Sequence, residues 1–132
     1  MLPSIESYKN PYLLVKIAHE GINASNLEEL FVLTKHNKQF FAEILLISTK
    51  TIERYIKEDK KFNPAESEKL IKLQEVYEKG VEVFGNVVEF NNWVEKPAYG
   101  IGLMIPKELM KTVSGINLVM NELVSIEFGS LA

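Results

Sequence analysis

Six side chains suited to binding phosphate lie close together in the middle of the chain. Three carry hydroxyls and three are basic: Ser48, Thr49, Lys50, Thr51, Arg54 and Lys57. The start of a helix has free backbone N–H groups and a partial positive charge, which favour an anion. Side chains on its first turns can then reach base edges while basic groups hold the backbone. The pattern predicts DNA binding, and an ordinary helical hairpin with a basic exposed face stays open as the alternative.

The charge distribution supports this choice of segment. Residues 1–34 carry two Lys and four Glu, a net charge of −2, and residues 62–132 carry six Lys and ten Glu, a net charge of −4. Residues 35–61 carry six Lys, one Arg, three Glu and one Asp, which gives +3. DNA binding depends on local neutralisation of phosphates, so an acidic protein with one basic segment is compatible with it.

Patterns for catalysis and metal binding are missing from the sequence. Cysteine is absent, which excludes disulfides and thiolate ligands. His19 and His36 are far apart and have no carboxylates at metal-ligand spacing. The sequence has no G-x-S-x-G, phosphate-loop or H-E-x-x-H motif. We expect no enzymatic activity, no cofactor and no metal, and an enzyme of unknown class is retained as a remote alternative.

Composition indicates a soluble cytoplasmic protein of one domain or two very small ones. The chain has 132 residues, of which 46% are hydrophobic and 25% charged, within the globular range. Its apolar runs are shorter than the roughly 20 residues that span a bilayer. The first ten residues lack the basic start and apolar core of a signal peptide. We therefore expect no membrane association.

Helix signals dominate the whole chain, so the fold class is predicted to be all-α. Candidate helix starts combine a capping residue with proline or with a glutamate three positions later. These starts are Asn10-Pro11, Ser25 with Glu28, Ser48, Asn63-Pro64 with Glu66, Asn86 with Glu89, Pro106, and Ser114. Gly21, Gly85 and Gly129 are placed to end helices. A long helix is predicted from Pro64 to about Phe84.

The corner before Ser48 has the features of a helix-turn-helix. Ser48 fits an N-cap, and Ile47 and Ile52 then have the spacing of a hydrophobic staple. The staple would set the angle at which the second helix leaves the turn. Ile52 and Ile56 would face inward, which leaves the hydroxyl and basic side chains exposed.

The C-terminal sequence resembles the toxin-binding domain of the Xre/MbcA/ParS antitoxin family. The matching elements are Val83-Phe84-Gly85, Trp93, Pro97, Gly102, Pro106, Glu108-Leu109, Gly115, Val119, Leu123, Ile126 and Phe128-Gly129. Residues 40–73 resemble the family's Xre-type helix-turn-helix. Two positions depart from the family pattern. The usual Gly-Gly pair is Gly102-Leu103 here, and the usual Thr before the second proline is Ile105, which cannot cap through a hydroxyl.

The resemblance implies a type II antitoxin. Members of the family bind and block a RES-domain toxin that degrades NAD⁺, and they repress their own operon by binding operator DNA. The resemblance also suggests a homodimer within a larger toxin–antitoxin complex. It implies an N-terminal Xre-like helix-turn-helix domain over residues 1–79 and a small helical toxin-binding domain over residues 80–132. A stand-alone transcriptional regulator without a toxin partner is the alternative.

The expected toxin-binding residues lie in the loop after Trp93 and at the C-terminal end. They are Trp93, Pro97, Gly102, Pro106, Glu127, Phe128, Gly129, Leu131 and Ala132. Trp93 is expected to pack in the core of its domain and is also able to anchor an interface. The C-terminal tail is expected to block the toxin's cleft, with Glu127 and the terminal carboxylate pairing with cations there.

Overall fold

The computed structural model describes residues 10–129, and within them the chain is built from α-helices. The eight helices are α1 (Pro11–Glu20), α2 (Leu27–Thr34), α3 (Lys38–Leu45), α4 (Thr49–Glu58), α5 (Pro64–Phe84), α6 (Val87–Val94), α7 (Pro106–Leu109) and α8 (Val113–Glu127). Two 3-10 turns, Ala24–Asn26 and Tyr99–Ile101, lie between them. The described residues form no strand, only isolated bridges between Asn23 and Lys61 and between Ala98 and Met104. The all-α prediction is confirmed.

Most helix ends form where capping chemistry predicts them. Asn63 and Glu66 bond each other reciprocally at the start of α5, with N···O distances of 3.1 and 2.7 Å, which satisfies two of the free N–H groups. Asn10 accepts from Tyr12 N–H at 3.0 Å, and Asn86 accepts from Glu89 N–H at 2.9 Å. Gly85 has a φ of 93°, a conformation that suits glycine, and α5 ends beside it.

Two predicted caps are wrong. Helix α2 begins after a 3-10 turn, and Ser25 donates its N–H to Asp59 Oδ1 at 3.3 Å and does not cap. The neighbouring Ala24 N–H bonds Lys60 O at 2.8 Å, so this long-range bond helps to set the path of the chain into α2. The last helix begins one residue before Ser114, because Thr112 Oγ1 accepts from Gly115 N–H at 3.0 Å.

The chain divides into two compact units, and the division falls inside α5 between Glu75 and Val76. The sequence set its domain boundary after Lys79. The first unit has a core of large apolar side chains from α2, α3, α4, α5 and the segment between α4 and α5, and the fully buried ones include Leu27, Leu30, Phe41, Ile44, Ile52, Phe62 and Leu70. Within this unit the Ser67 hydroxyl accepts from Ile22 N–H at 2.9 Å.

The second unit has a core around the two rings of Tyr77 and Phe90, whose centroids are 4.8 Å apart in an edge-to-face arrangement. The Tyr77 hydroxyl donates to Asn91 Oδ1 at 2.7 Å, and burial raises the pKa of this phenol above its ordinary value. A Cβ on Gly80 would lie 2.5 Å from the Phe90 ring. Glycine at this position therefore allows the close packing of α6 on α5.

Candidate functional site

A tight turn joins α3 to α4 and sets the position of the N-terminus of α4. Leu46 adopts the left-handed conformation, with φ 60° and ψ 39°, at the place where helix-turn-helix corners often carry glycine. Ser48 Oγ accepts from Thr51 N–H at 3.0 Å and lies 2.8 Å from the Thr51 hydroxyl. The buried Ile52 fixes the inner side of the helix. Three residues, 46–48, thus separate α3 from α4.

The exposed side of α4 carries its cations. Lys50, Arg54 and Lys57 are exposed, and their charges lie on the side opposite Ile52. The guanidinium carbon of Arg54 lies 5.6 Å from the centre of the Tyr55 ring, within the range of a cation–π contact. Such a face can neutralise phosphates while the helix N-terminus contributes its partial positive charge.

Helix α5 contacts the C-terminal end of α3, next to the turn that leads into α4. Lys69 Nζ donates to the carbonyl oxygen of Ile44 at 2.9 Å, one of the carbonyls that a helix C-terminus leaves without an internal partner. Partial burial lowers the pKa of Lys69 from its ordinary value. This bond ties α5 to the corner and restrains the position of α3.

In the second unit, the loop after α6 is folded on itself and against α8. Ala98 N–H bonds Met104 O at 3.0 Å, and Leu103 N–H bonds Ala98 O at 2.9 Å. Gly102 and Leu103 both have positive φ, 67° and 64°. A Cβ on Gly100 would collide with the carboxylate of Glu122 on α8. The loop therefore has one defined path, with the side chain of Tyr99 89% exposed at its tip.

The outer face of α8 has no charged side chain. The exposed residues of this face are Ser114, Asn117, Leu118, Asn121, Val124, Ser125 and, at the C-cap, Phe128. Glu127 is also exposed, but it lies beside this face, about 60° around the helix from Val124. The two charged residues of the helix are placed elsewhere, with Glu122 against Gly100 and Glu127 bonded to Lys79 at 2.7 Å. The side chains of Leu118 and Phe128 are 50% and 81% exposed. Apolar and neutral polar groups on an exposed helix face are typical of a protein interface with few charges at its centre.

The region that contains this surface matches a known protein family. Residues 79–129 match the family model described as the antitoxin Xre/MbcA/ParS C-terminal toxin-binding domain. Residues 79–129 therefore carry a domain of the Xre/MbcA/ParS antitoxin family. A relative named antitoxin Xre, from Photorhabdus laumondii, is 25% identical over 114 residues, which cover 86% of this chain and 77% of the relative. The matched region contains the loop, the charge-free face and the end of α8.

The predicted DNA-binding residues of the antitoxin fall into two groups. Lys50, Arg54 and Lys57 are exposed on one face, as the sequence led us to expect. Ser48 and Thr51 form the cap, and Thr49 and Thr51 are only partly exposed. The hydroxyl groups of the cap are therefore engaged in starting the helix. The three exposed cations are the groups best placed to contact a ligand.

The predicted toxin-binding residues are similarly divided. Phe128, Gly129, Pro97 and Gly102 are exposed. Pro106 is buried at the first position of α7, so it shapes the surface from beneath. Leu131 and Ala132 lie outside the described residues.

Two further predicted residues have partners inside the unit. Trp93 is half-buried, and its ring lies 5.5 Å from that of Phe84 and 5.9 Å from that of Phe90. Glu127 accepts two bonds from Lys79 Nζ, at 2.7 and 2.8 Å. In this conformation the carboxylate of Glu127 is already paired, and the exposed group beside it is the Phe128 ring.

Sequence reasoning missed two parts of these sites. The last helix and the tail were expected to form the contact surface, but the residues of its charge-free face were not identified, although positions 114, 117, 118, 121, 125 and 128 recur at helical intervals. The pair formed by Lys38 and Glu53, 3.1 Å apart, joins two different helices and has no signal in local spacing.

Among the described residues, no group of three or more His, Asp or Glu side chains is placed to hold a metal ion. None of the helices in residues 10–129 is both long and apolar enough to cross a membrane.

Proposed function

We propose that this antitoxin binds and blocks a RES-domain toxin that degrades NAD⁺, and that it represses its own operon by binding operator DNA. It acts by binding and carries out no reaction, works in the cytoplasm, and binds its operator as a homodimer. The toxin-binding part of the proposal rests chiefly on the charge-free exposed face of α8, inside the region that matches the toxin-binding domain.

The second unit provides the toxin-binding surface in this proposal. The face of α8 contributes apolar contacts through Leu118, Val124 and Phe128, and the loop contributes Pro97 and Tyr99. Fixing the loop in advance through its own backbone bonds lowers the cost of ordering it on binding. Trp93 and Pro106 hold this surface in shape, and Leu131 and Ala132 are proposed as further toxin contacts.

The operator is bound by α4 in this proposal. Lys50, Arg54 and Lys57 contact phosphates, and the first turn of the helix enters the major groove. A dimer presents two copies of α4 and matches a two-fold operator, so it binds more tightly than one copy.

Deletion of residues 128–132 tests the division of labour. Consumption of NAD⁺ by the toxin is measured with full-length and truncated antitoxin, and a gel shift with operator DNA is run on both. We expect weaker inhibition and unchanged DNA binding, because the deletion removes Phe128 and the tail without touching α4. A Tyr12→Ala variant, which removes another exposed aromatic ring, serves as the matched control.

Each outcome has a distinct meaning. Equal inhibition by both forms contradicts the role of the tail and moves the interface to the α8 face and the loop. Loss of both activities indicates unfolding. Failure of the full-length chain to inhibit any RES-domain toxin, with operator binding intact, favours the stand-alone regulator.

A further inference from the structure

A carboxylate borders the basic face of α4 near the start of the helix, because Glu53 projects about 40° around the helix from Lys57. At 100° per residue, Lys50, Glu53 and Lys57 project within about 60° of one another around the helix. The side chain of Glu53 is 54% exposed, so it is presented on the same surface as the cations. A ligand that met Lys50 and Lys57 would also meet Glu53.

A carboxylate in this place is unfavourable if the face contacts phosphates alone, because like charges repel. It becomes favourable if it meets a hydrogen-bond donor. In the major groove, donors are found on base edges, and the N4 amino group of cytosine is the usual partner of a glutamate. The position of Glu53 on the second turn of α4 is within the region of a recognition helix that reaches base edges.

The neighbouring helix restrains this carboxylate. Lys38 Nζ, on the first residue of α3, donates to Glu53 Oε1 at 3.1 Å. One oxygen of the carboxylate is therefore directed toward α3, and Oε2 is the atom that can accept from a base. The cation of Lys38 also offsets the repulsion between Glu53 and the phosphates of the duplex.

We propose that Glu53 reads a cytosine in the major groove of the operator, and that Lys38 positions its carboxylate. This inference rests on the proposed operator binding by α4. Glu53 is a specificity-determining residue in this account, and Lys38 acts through it.

The same helix provides a control. Glu58 also forms an ion pair with a lysine, since its Oε2 lies 3.8 Å from Lys60 Nζ. It borders the opposite edge of the cation face, about 140° from Glu53 around α4, and it is the last residue of the helix, away from the first turns that reach base edges. A role limited to surface ion pairing would make the two glutamates equivalent.

Selection from a library of randomised double-stranded DNA tests the proposal with the full-length chain. Wild type, Glu53→Gln, Glu53→Ala, Lys38→Met and Glu58→Gln are each subjected to selection, and their thermal melts are compared. Wild type is expected to enrich cytosine at one position of each half-site. Because glutamine pairs with adenine, Glu53→Gln is expected to change the cytosine-to-adenine preference there by about ten-fold or more.

The other variants refine this result. Glu53→Ala should lose the preference at that position and keep it elsewhere. Lys38→Met should retain cytosine with weaker discrimination, and Glu58→Gln should enrich the wild-type motif.

Two results would overturn the inference. If wild type enriches a motif and Glu53→Gln enriches the same one with the same preferences, Glu53 reads no base, and operator binding by α4 still stands. If wild type enriches no motif and shows no salt-dependent binding, both the inference and the operator-binding proposal fail.

Discussion

The two units of the chain present surfaces of opposite character. In the first unit, the candidate surface belongs to one helix, α4, and consists of three exposed cations with a glutamate at each edge. In the second unit, the candidate surface combines a loop with the outer face of α8, and that face carries no charge. The first surface needs only a capped helix start, whereas the second depends on a loop held by its own backbone bonds.

This difference predicts how each surface recognises its partner. Cations that neutralise phosphates release counterions, so binding by α4 should weaken steeply as salt rises. Burial of apolar and neutral polar groups by α8 should respond little to salt. The same chain can therefore hold two partners whose affinities are set independently, one by charge and one by apolar contact.

The strongest test of the uncharged surface is Leu118→Glu. A buried, unpaired carboxylate at the centre of an interface is costly, and central positions dominate binding energy. We expect inhibition of the toxin to need about 100-fold more antitoxin, with operator binding unchanged. Val88→Glu, at a similarly exposed apolar position on α6, is the matched control. Equal effects of the two variants on toxin inhibition would show that the face of α8 is not the toxin-binding surface.

The charged surface is tested by replacing Lys50 and Arg54 with alanine together. We expect operator affinity to fall by about 10-fold to 100-fold, and the slope of log affinity against log salt to shrink by about 2, because two phosphate contacts are lost. Toxin inhibition should not change. Replacing Lys96 and Lys111 removes the same charge from the second unit. Binding curves that match wild type at several salt concentrations would show that α4 is not the recognition helix.

Trp93→Ala tests how much the second unit depends on the packing of this ring against Phe84 and Phe90. A fully buried tryptophan would cost roughly 3–5 kcal/mol, but Trp93 is half-buried, so we expect a loss of about 2 kcal/mol in a denaturant melt. Tyr99→Ala, which removes an exposed ring from the same unit, should leave the melt unchanged. A Trp93 variant as stable as wild type, yet unable to inhibit toxin, would place the ring in the interface itself.

Ile105→Thr should stabilise the second unit. Ile105 occupies the N-cap of α7 and makes no side-chain capping bond, and a threonine hydroxyl at such a site contributes about 1 kcal/mol. A thermal melt of the full-length chain measures the gain. Ile105→Val, which keeps a branched apolar side chain, is the control, and an equal melting temperature for both variants would show that the cap is not formed.

The smallest effect concerns the pair between Lys79 and Glu127. Lys79 donates a hydrogen bond to the carboxylate of Glu127. This interaction lowers the pKa of Glu127 below 4.5 and raises the pKa of Lys79 above 10.5. The stabilisation is therefore complete between these values. It is lost as pH falls through the lowered pKa of Glu127 or rises through the raised pKa of Lys79.

We expect the amide of Phe128, at the end of α8, to exchange faster with solvent below about pH 4 than the intrinsic acid dependence of exchange predicts. Glu127→Gln should remove this excess. An amide whose protection does not depend on pH in either protein would show that the ion pair does not hold the end of the helix.

Much of the fold could be read from the sequence because its signals are local. A reciprocal cap such as Asn63 with Glu66, or a cap followed by a staple spacing at Ser48, needs only residues within one turn of each other. The two wrong caps have different causes. The N–H of Ser25 bonds Asp59, which is distant in the chain, whereas at Ser114 a second hydroxyl two residues earlier, that of Thr112, forms the cap.

The two departures from the family pattern also separate what the sequence shows from what only the structure shows. The sequence showed that Ile105 lacks a capping hydroxyl, and the structure places it at a cap. The sequence also showed Leu103 in place of the usual second glycine. Only the structure reveals that this leucine has a positive φ of 64°, a conformation that disfavours residues with a Cβ.

By itself the sequence determined the helical class, the family resemblance and the basic segment, because composition, capping and periodicity act over a few residues. Tertiary structure alone decided which of those residues share a surface. It brought Lys38 to Glu53 across 15 positions and Lys79 to Glu127 across 48, buried Pro106, and left the uncharged face of α8 exposed. Such placements depend on packing between elements distant in the chain, where no local spacing encodes the contact.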